Sequence, residues 1–110
     1  MPIERGEVYW VNFDSSLGGE IQKTRPAVVL SNDAANANLN RIQVVPITSK
    51  TNRVYPGEAL IDLNGERRKA MADQITTISK QRVGRRLGKI DSKDISRIEA
   101  AVLIQLGLRP

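Results

Sequence analysis

The sequence predicts a mainly β domain with short helices: a small antiparallel barrel or strongly bent sheet, with an amphipathic helix at the C-terminus packed on it. Three observations lead there. Short runs rich in β-branched and aromatic residues recur between Glu7 and Ile90, turn residues separate them, and helical apolar periodicity appears only after Asp91. At 110 residues, 40% hydrophobic and 26% charged, the chain has the size and composition of one ordinary globular domain. No repeat, low-complexity stretch or linker divides residues 1–110.

The first strand is Glu7 to Phe13 (EVYWVNF), followed by a polar, Gly-containing loop from Asp14 to Thr24. A second strand runs Pro26 to Ser31; its AVVL run suits burial on both faces, and proline at a first strand position loses no ladder bond. Asn32 and Asp33 favour a turn or a short helix start before Ala34 to Leu39. The third strand, Ile42 to Ile47, contains Pro46, which implies an edge or a bulge there. After a loop from Thr48 to Gly57, Glu58 to Leu63 alternates as a half-buried strand does, and Asn64-Gly65 signals a hairpin to a partner at Arg67 to Ala72. Ile75 to Ile78 and Gly84 to Ile90 are further short strands. Asp91 can cap the final helix, which places Ile95, Ile98, Val102 and Leu106 on one face and stops at Gly107.

Composition removes whole classes of chemistry. The chain has no cysteine, so neither disulfides nor thiolate metal sites are available, which fits a reducing cytosol. It has no histidine, which excludes His-pair nucleases, Ser-His-Asp hydrolases and His-ligated metalloenzymes. Catalysis is left to carboxylates, arginine, lysine, tyrosine and hydroxyls. No apolar run is long enough to span a membrane, and Met1 to Gly6 lacks the apolar stretch of a signal peptide. The net charge is +5, and residues 66–89 hold eight Lys and Arg against two Asp and Glu, more than the whole surplus. Such a region fits a polyanionic partner and equally a solvated surface face.

A few segments have the equipment for phosphate chemistry. Arg25, in Lys23-Thr24-Arg25-Pro26, sits at the start of a buried strand, which gives its planar guanidinium a fixed aim. The ordinary alternative is a surface arginine meeting water or a carboxylate. Thr48, Ser49 and Lys50 follow the end of an apolar strand and offer hydroxyl donors and a cation; strand-end turn chemistry accounts for them equally well. The Asp14–Thr24 loop exceeds usual hairpin length, has Gly18-Gly19 as a hinge and carries Glu20, a carboxylate placed to act as a base beside an arginine. Asp73-Gln74 joins two strand-like segments, where both side chains suit base edges or backbone amides. Tyr9 and Trp10 suit base stacking, although aromatics in a first strand usually belong to the core.

Taken together, these residues resemble the MazF/PemK/Kid family of toxin endoribonucleases. The likeness rests on Arg5 to Trp10 (RGEVYW) with Asn12-Phe13, Gly18 to Glu20, Thr24 to Asp33 (TRPAVVLSND), Val45 to Ser49 (VPITS), Asp73-Gln74 with Thr77-Ile78, and Arg86 to Ile90 (RLGKI). It covers nearly the whole chain in order. The resemblance implies an SH3-like, CcdB/PemK-like barrel working as a prokaryotic, cytoplasmic homodimer. It further implies metal-independent cleavage of single-stranded RNA to a 2′,3′-cyclic phosphate and a 5′-hydroxyl, without cofactor. Neutralisation by a cognate antitoxin with an acidic, flexible tail is also implied. Family roles fall on Arg25 and Thr48 as catalytic residues and on Glu20 or Asp73 as the base. The expected substrate contacts are Leu17, Gly19, Asn32, Ser49, Asp73 and Gln74, with Lys50, Arg53 and the Arg67–Lys69 cluster along phosphates. One departure stands out: Kid-type members place a catalytic arginine two residues before the aspartate matched by Asp73, and this chain has Met71 there.

Two other readings share these features. A non-catalytic RNA- or ribosome-binding barrel would use the same basic surface. A CcdB-like gyrase-inhibiting toxin would share the fold, but that family ends in Trp-Gly-Ile, whereas this sequence ends Leu108-Arg109-Pro110.

Overall fold

The architecture follows from one strand that is paired along both of its edges. The structure, a computed structural model, describes residues 2–14, 17–21 and 23–108. Parts of the expected 14–24 loop (residues 15, 16 and 22), Met1 of the expected N-terminal segment and the last two residues of the expected tail lie outside that description. The elements are β1 (Glu7–Asn12), β2 (Thr24–Val29), α1 (Asp33–Asn38), β3 (Arg41–Thr48), β4 (Ala59–Leu63), β5 (Glu66–Ala70), β6 (Thr76–Ser79), β7 (Val83–Lys89) and α2 (Ser92–Leu106). All pairings are antiparallel, in the order β4-β5-β3-β2-β1-β7, with β6 also on β3.

β3 meets β2 on one edge, at Ala27↔Pro46, Val28↔Val45 and Val29↔Val44. On its other edge it pairs first with β6, over Arg41 to Val44, and then with β5, over Ile47 and Thr48. Pro46 stands at that change of partner. Its carbonyl accepts from the Met71 amide (2.9 Å), and a strand residue directs its N–H and C=O to the same side. The N–H that proline lacks would therefore point into the gap between the two ladders, where no partner is lost. Pro46 thus sits inside a two-sided strand rather than at an edge, and the irregularity expected of it appears as this switch.

Both faces of the central strands are buried, as the AVVL run suggested. Val8, Val28, Val45 and Ile47 pack with Ile61, Ile95 and Ile98 beneath α2. The alternating positions Tyr9, Val11, Ala27, Val29, Ile42 and Val44 form a second cluster with Phe13 and Ile78 on the opposite face. Pairing with β1 carries β2 back to Thr24, two residues earlier than its proline suggests. Asn64 and Gly65 both take positive φ (53° and 83°), the two-residue hairpin conformation whose twist matches that of the flanking strands. Ala72, expected to end the fifth strand, instead begins a short 3₁₀ turn, Ala72–Gln74.

α2 starts where expected, with the Asp91 carboxylate accepting from the Asp94 amide, and ends at Gly107, whose N–H reaches the Leu103 and Ile104 carbonyls. Asp94 is buried but satisfied: it accepts from the Asp62 amide of β4 (2.9 Å) and so ties the helix start to the sheet. Ile95, Ile98 and Val102 face the core as the periodicity predicted, but Leu106 does not. The core contacts stop at Val102, and the final turn leaves Ile104 and Leu106 more than half exposed.

Glu7, Tyr9 and Arg86 lock β7 onto β1. The Tyr9 hydroxyl donates to Glu7 Oε1 (2.8 Å), the Glu4 amide donates to the same oxygen (2.7 Å), and Arg86 Nε donates to Oε2 (2.6 Å). Burial alone would raise the Glu7 carboxyl, but these donors together hold it below the ordinary glutamate value. Burial and the neighbouring Glu7 carboxylate push the Tyr9 phenol up to about 12. Because the folded value lies above the unfolded one, this stabilisation is complete below pH 10 and fades as pH rises through about 12. Wild-type stability in urea should therefore fall between those values by ~2 kcal/mol more than that of Tyr9→Phe, in which this component of the alkaline loss is gone.

Candidate active site

Arg25 and Thr48 occupy the adjacent ends of β2 and β3. The β2–β3 ladder ends at Ala27↔Pro46; continued by one pleat, the same register sets Arg25 across from Thr48. Alternation places Arg25 on the face of Ala27 and Val29, and Thr48 on the face of Ile42 and Val44, which is one and the same face. On its other edge Arg25 pairs with Val11 of β1, so an ordered strand holds its backbone on that side. Both side chains are half-buried. The Thr48 hydroxyl accepts from the Lys50 amide (3.2 Å), which leaves its own proton to be donated. Ser49 and Lys50 follow, exposed at the strand end.

A cleft of about 290 Å³ opens on the same side of the sheet, over Phe13 and Ile78 of the second core cluster. Of the expected residues it gathers Glu20, Asp73 and Gln74; Asn12, Thr76, Thr77 and Arg82 complete its polar rim, and Arg25 and Thr48 lie outside its lining. Asp73 and Gln74 reach the cleft because the 3₁₀ turn is suspended from two backbone anchors. The Met71 amide bonds Pro46 of β3, and the Asp73 amide bonds the Gly57 carbonyl (3.0 Å). A Cβ at Gly57 would lie 2.4 Å from the Gln105 carboxamide and 3.4 Å from Asp73 Cβ, so only glycine passes at this spot without displacing the α2 side chain.

The long loop is held against the cleft. Gln74 Nε2 donates to the Gly19 carbonyl (3.1 Å), and its Oε1 accepts from the Ile21 amide (3.3 Å). Arg82 Nη1 donates to the carbonyls of Asn12 (3.0 Å) and Asp14 (3.3 Å), pinning the corner where the loop leaves β1. At the tip, Glu20 Oε1 accepts from the Leu17 amide (2.5 Å), and Leu17 presents its side chain to solvent, 77% exposed. Among the described residues no three Asp or Glu side chains gather in a way that could hold a metal ion.

The family described as PemK-like, MazF-like toxin of type II toxin–antitoxin systems matches residues 4–106. The chain belongs to this family. Endoribonuclease MazF9 of Mycobacterium tuberculosis is 36% identical over 115 residues, covering 96% of this chain and 98% of that protein. The crystal structure of MazF from Deinococcus radiodurans superposes with a TM-score of 0.87 at 25% identity, covering 98% of this chain and 99% of that one. A mycobacterial endoribonuclease solved with its cognate antitoxin superposes at 0.81, also 25% identical, over 98% of each chain. The barrel with its C-terminal helix is thus the MazF-like fold.

Not every expected site residue of this MazF-like toxin converges on the cleft. Asn32 follows the far end of β2 from Arg25, roughly 15–20 Å away along the extended strand. Its carboxamide is engaged as the N-cap of α1, accepting from Ala35 (2.8 Å). Tyr9 is a core residue, and Trp10 is half-buried with the backbone of Gly84 close against it. The Arg67–Lys69 cluster is largely paired: Arg67 with Asp62, Arg68 with Glu66, and Lys69 with Glu58 (3.2 Å). Arg53 Nη1 lies at the Tyr55 hydroxyl. Sequence reasoning gave no site role to Asn12, Thr76, Thr77 or Arg82: Asn12 and Thr77 entered only through the family likeness and Arg82 only through the basic run.

Lys69 is an internal clamp. Its Nζ also donates to the Arg53 carbonyl (2.9 Å), and Glu58 accepts from the Tyr55 amide, so the buried pair closes the 53–58 loop. Lys69→Met keeps the side-chain length and strands the Glu58 carboxylate. It should lower stability by about 3 kcal/mol in urea unfolding, whereas a solvent-facing lysine on a phosphate track would lose almost nothing.

Proposed function

We propose that this chain is an endoribonuclease toxin that cleaves single-stranded RNA at a short sequence, attacks with the RNA's own 2′-hydroxyl and needs no metal ion. The observation that carries the reading is the β2–β3 register, which aims a guanidinium and a hydroxyl from adjacent strand ends at one side of the sheet. The family match and the endoribonuclease names of its relatives support the reaction class. The region 1–110 acts as one toxin domain and works as a homodimer. An antitoxin with an acidic, flexible tail neutralises it, a partner suited to a net charge of +5 and supported by the mycobacterial toxin–antitoxin complex.

The chemistry needs neither histidine nor an external nucleophile. The 2′-oxygen bonds to phosphorus, the bond to the 5′-oxygen breaks, and the products are a 2′,3′-cyclic phosphate and a 5′-hydroxyl. In-line alignment of an internal nucleophile removes up to roughly 7–11 kcal/mol of the barrier in ideal cases. Arg25 stabilises the negative charge of the pentacoordinate phosphorane electrostatically, and water protonates the departing 5′-oxygen. Thr48 donates to a non-bridging oxygen. Glu20, carried over the cleft by the long loop, takes the 2′-proton. Asp73, with Ser49, Lys50 and the exposed Leu17, contacts the bases and phosphates of the unpaired strand.

Purified protein incubated with a long RNA should release fragments with 5′-hydroxyl ends; binding without cleavage would favour the non-catalytic barrel. Arg25→Ala should lower the rate at least 10²–10³-fold with its thermal unfolding unchanged, and a wild-type rate would remove Arg25 from the mechanism. Replacing the ribose at the cleaved nucleotide by deoxyribose should block the reaction, because its nucleophile is gone. EDTA should leave the rate unchanged.

A further inference from the structure

We infer that Gln74 is a positioning residue that clamps the loop on both sides of Glu20, and that it does not read the RNA. The inference rests on the assignment of Glu20 as the base. The two hydrogen bonds of the Gln74 carboxamide go to the residues immediately before and after Glu20: its Nε2 to the Gly19 carbonyl and its Oε1 to the Ile21 amide. The carboxamide thereby imitates a neighbouring strand, supplying one donor and one acceptor to a segment that has no ladder of its own. Each of its two hydrogen-bonding atoms spends one bond on the loop, so the loop fixes the plane of the carboxamide and the direction of its remaining N–H and lone pair.

The clamp has a rigid support. Gln74 closes the 3₁₀ turn, its amide bonding the Met71 carbonyl (2.9 Å), and the Met71 amide is bonded to Pro46 of β3. Thr48 lies two residues further along that strand. The base and the hydroxyl donor are therefore referenced to the same stretch of backbone, one directly and the other through Met71 and Gln74. The Glu20 carboxylate folds back onto the Leu17 amide, so the segment 17–21 is a small turn held at its C-terminal side by Gln74. Two glycines precede Glu20, and without the clamp the loop would sample many orientations of the carboxylate.

The test uses Gln74→Met, which preserves length and volume but has neither hydrogen bond. Amide exchange at Ile21 should quicken at least tenfold in this variant, with α2 protection unchanged; unaltered exchange at Ile21 overturns the clamp. In cleavage assays kcat should fall about tenfold while KM and the cleaved sequence stay as in wild type. A raised KM or an altered cleavage sequence, with kcat preserved, would make Gln74 a substrate contact and overturn the inference. Gln74→Glu, which can still accept from Ile21 but cannot donate to Gly19, should restore part of kcat. In a Glu20→Gln background, Gln74→Met should cost less than twofold further, since there is no base left to position. If Glu20→Gln itself cleaves at the wild-type rate while exchange at Ile21 still quickens in Gln74→Met, the clamp stands and the base assignment alone falls.

Discussion

The arrangement depends on β3 being paired along both edges and changing partner at Pro46. A strand shared between two neighbours on one side must bend where one ladder stops and the next begins. Proline suits that point, because the missing N–H would have faced the gap. From this bend follow the position of Thr48 beyond it, the anchoring of Met71 beside it, and the suspension of the Asp73–Gln74 turn over the cleft. On the opposite edge, the register of the ladder to β2, continued past its last pair Ala27↔Pro46, brings Arg25 to the matching strand end.

The described residues of the long loop illustrate how polar backbone is held without a strand or helix of its own. Arg82 holds the carbonyls where it leaves β1, and Gln74 holds the backbone around Glu20. The Phe13 amide bonds the Lys23 carbonyl (2.8 Å) where the chain returns, at a residue with left-handed backbone (φ 67°), a conformation costing roughly 1 kcal/mol for a non-glycine residue. The Arg82 and Gln74 contacts are side chain to backbone, and the Phe13–Lys23 bond is backbone to backbone. They fix the path of the chain while leaving the loop's own side chains to meet a ligand.

The charge distribution changes meaning once it is folded. A run that carried more than the net charge of +5 reads as one basic surface in the linear sequence. In three dimensions Arg86 braces Glu7, Lys69 closes a loop onto Glu58, Lys80 donates to the Asn36 carbonyl, and Arg82 serves as a strut. Within that run Arg85 and Lys89 stay exposed, as does Lys50 just beyond the end of β3.

Local chemistry determined much of this protein without the tertiary structure. Strand-forming runs, the Asn64-Gly65 hairpin, the Asp91 cap and the Gly107 stop each depend on a few consecutive residues, and they formed within a residue or two of where the sequence placed them. The absence of histidine and cysteine restricted the chemistry before any coordinate was needed. Only the fold decided which distant residues share a face. Register brought Arg25 and Thr48 to one side, the tertiary fold gathered Glu20, Asp73 and Gln74 at one cleft, and the length of β2 left Asn32, the helix start the sequence indicated, at its other end. The physical reason is that pairing register and side-chain burial are set by contacts between segments far apart in the chain, which no local pattern of residue types encodes.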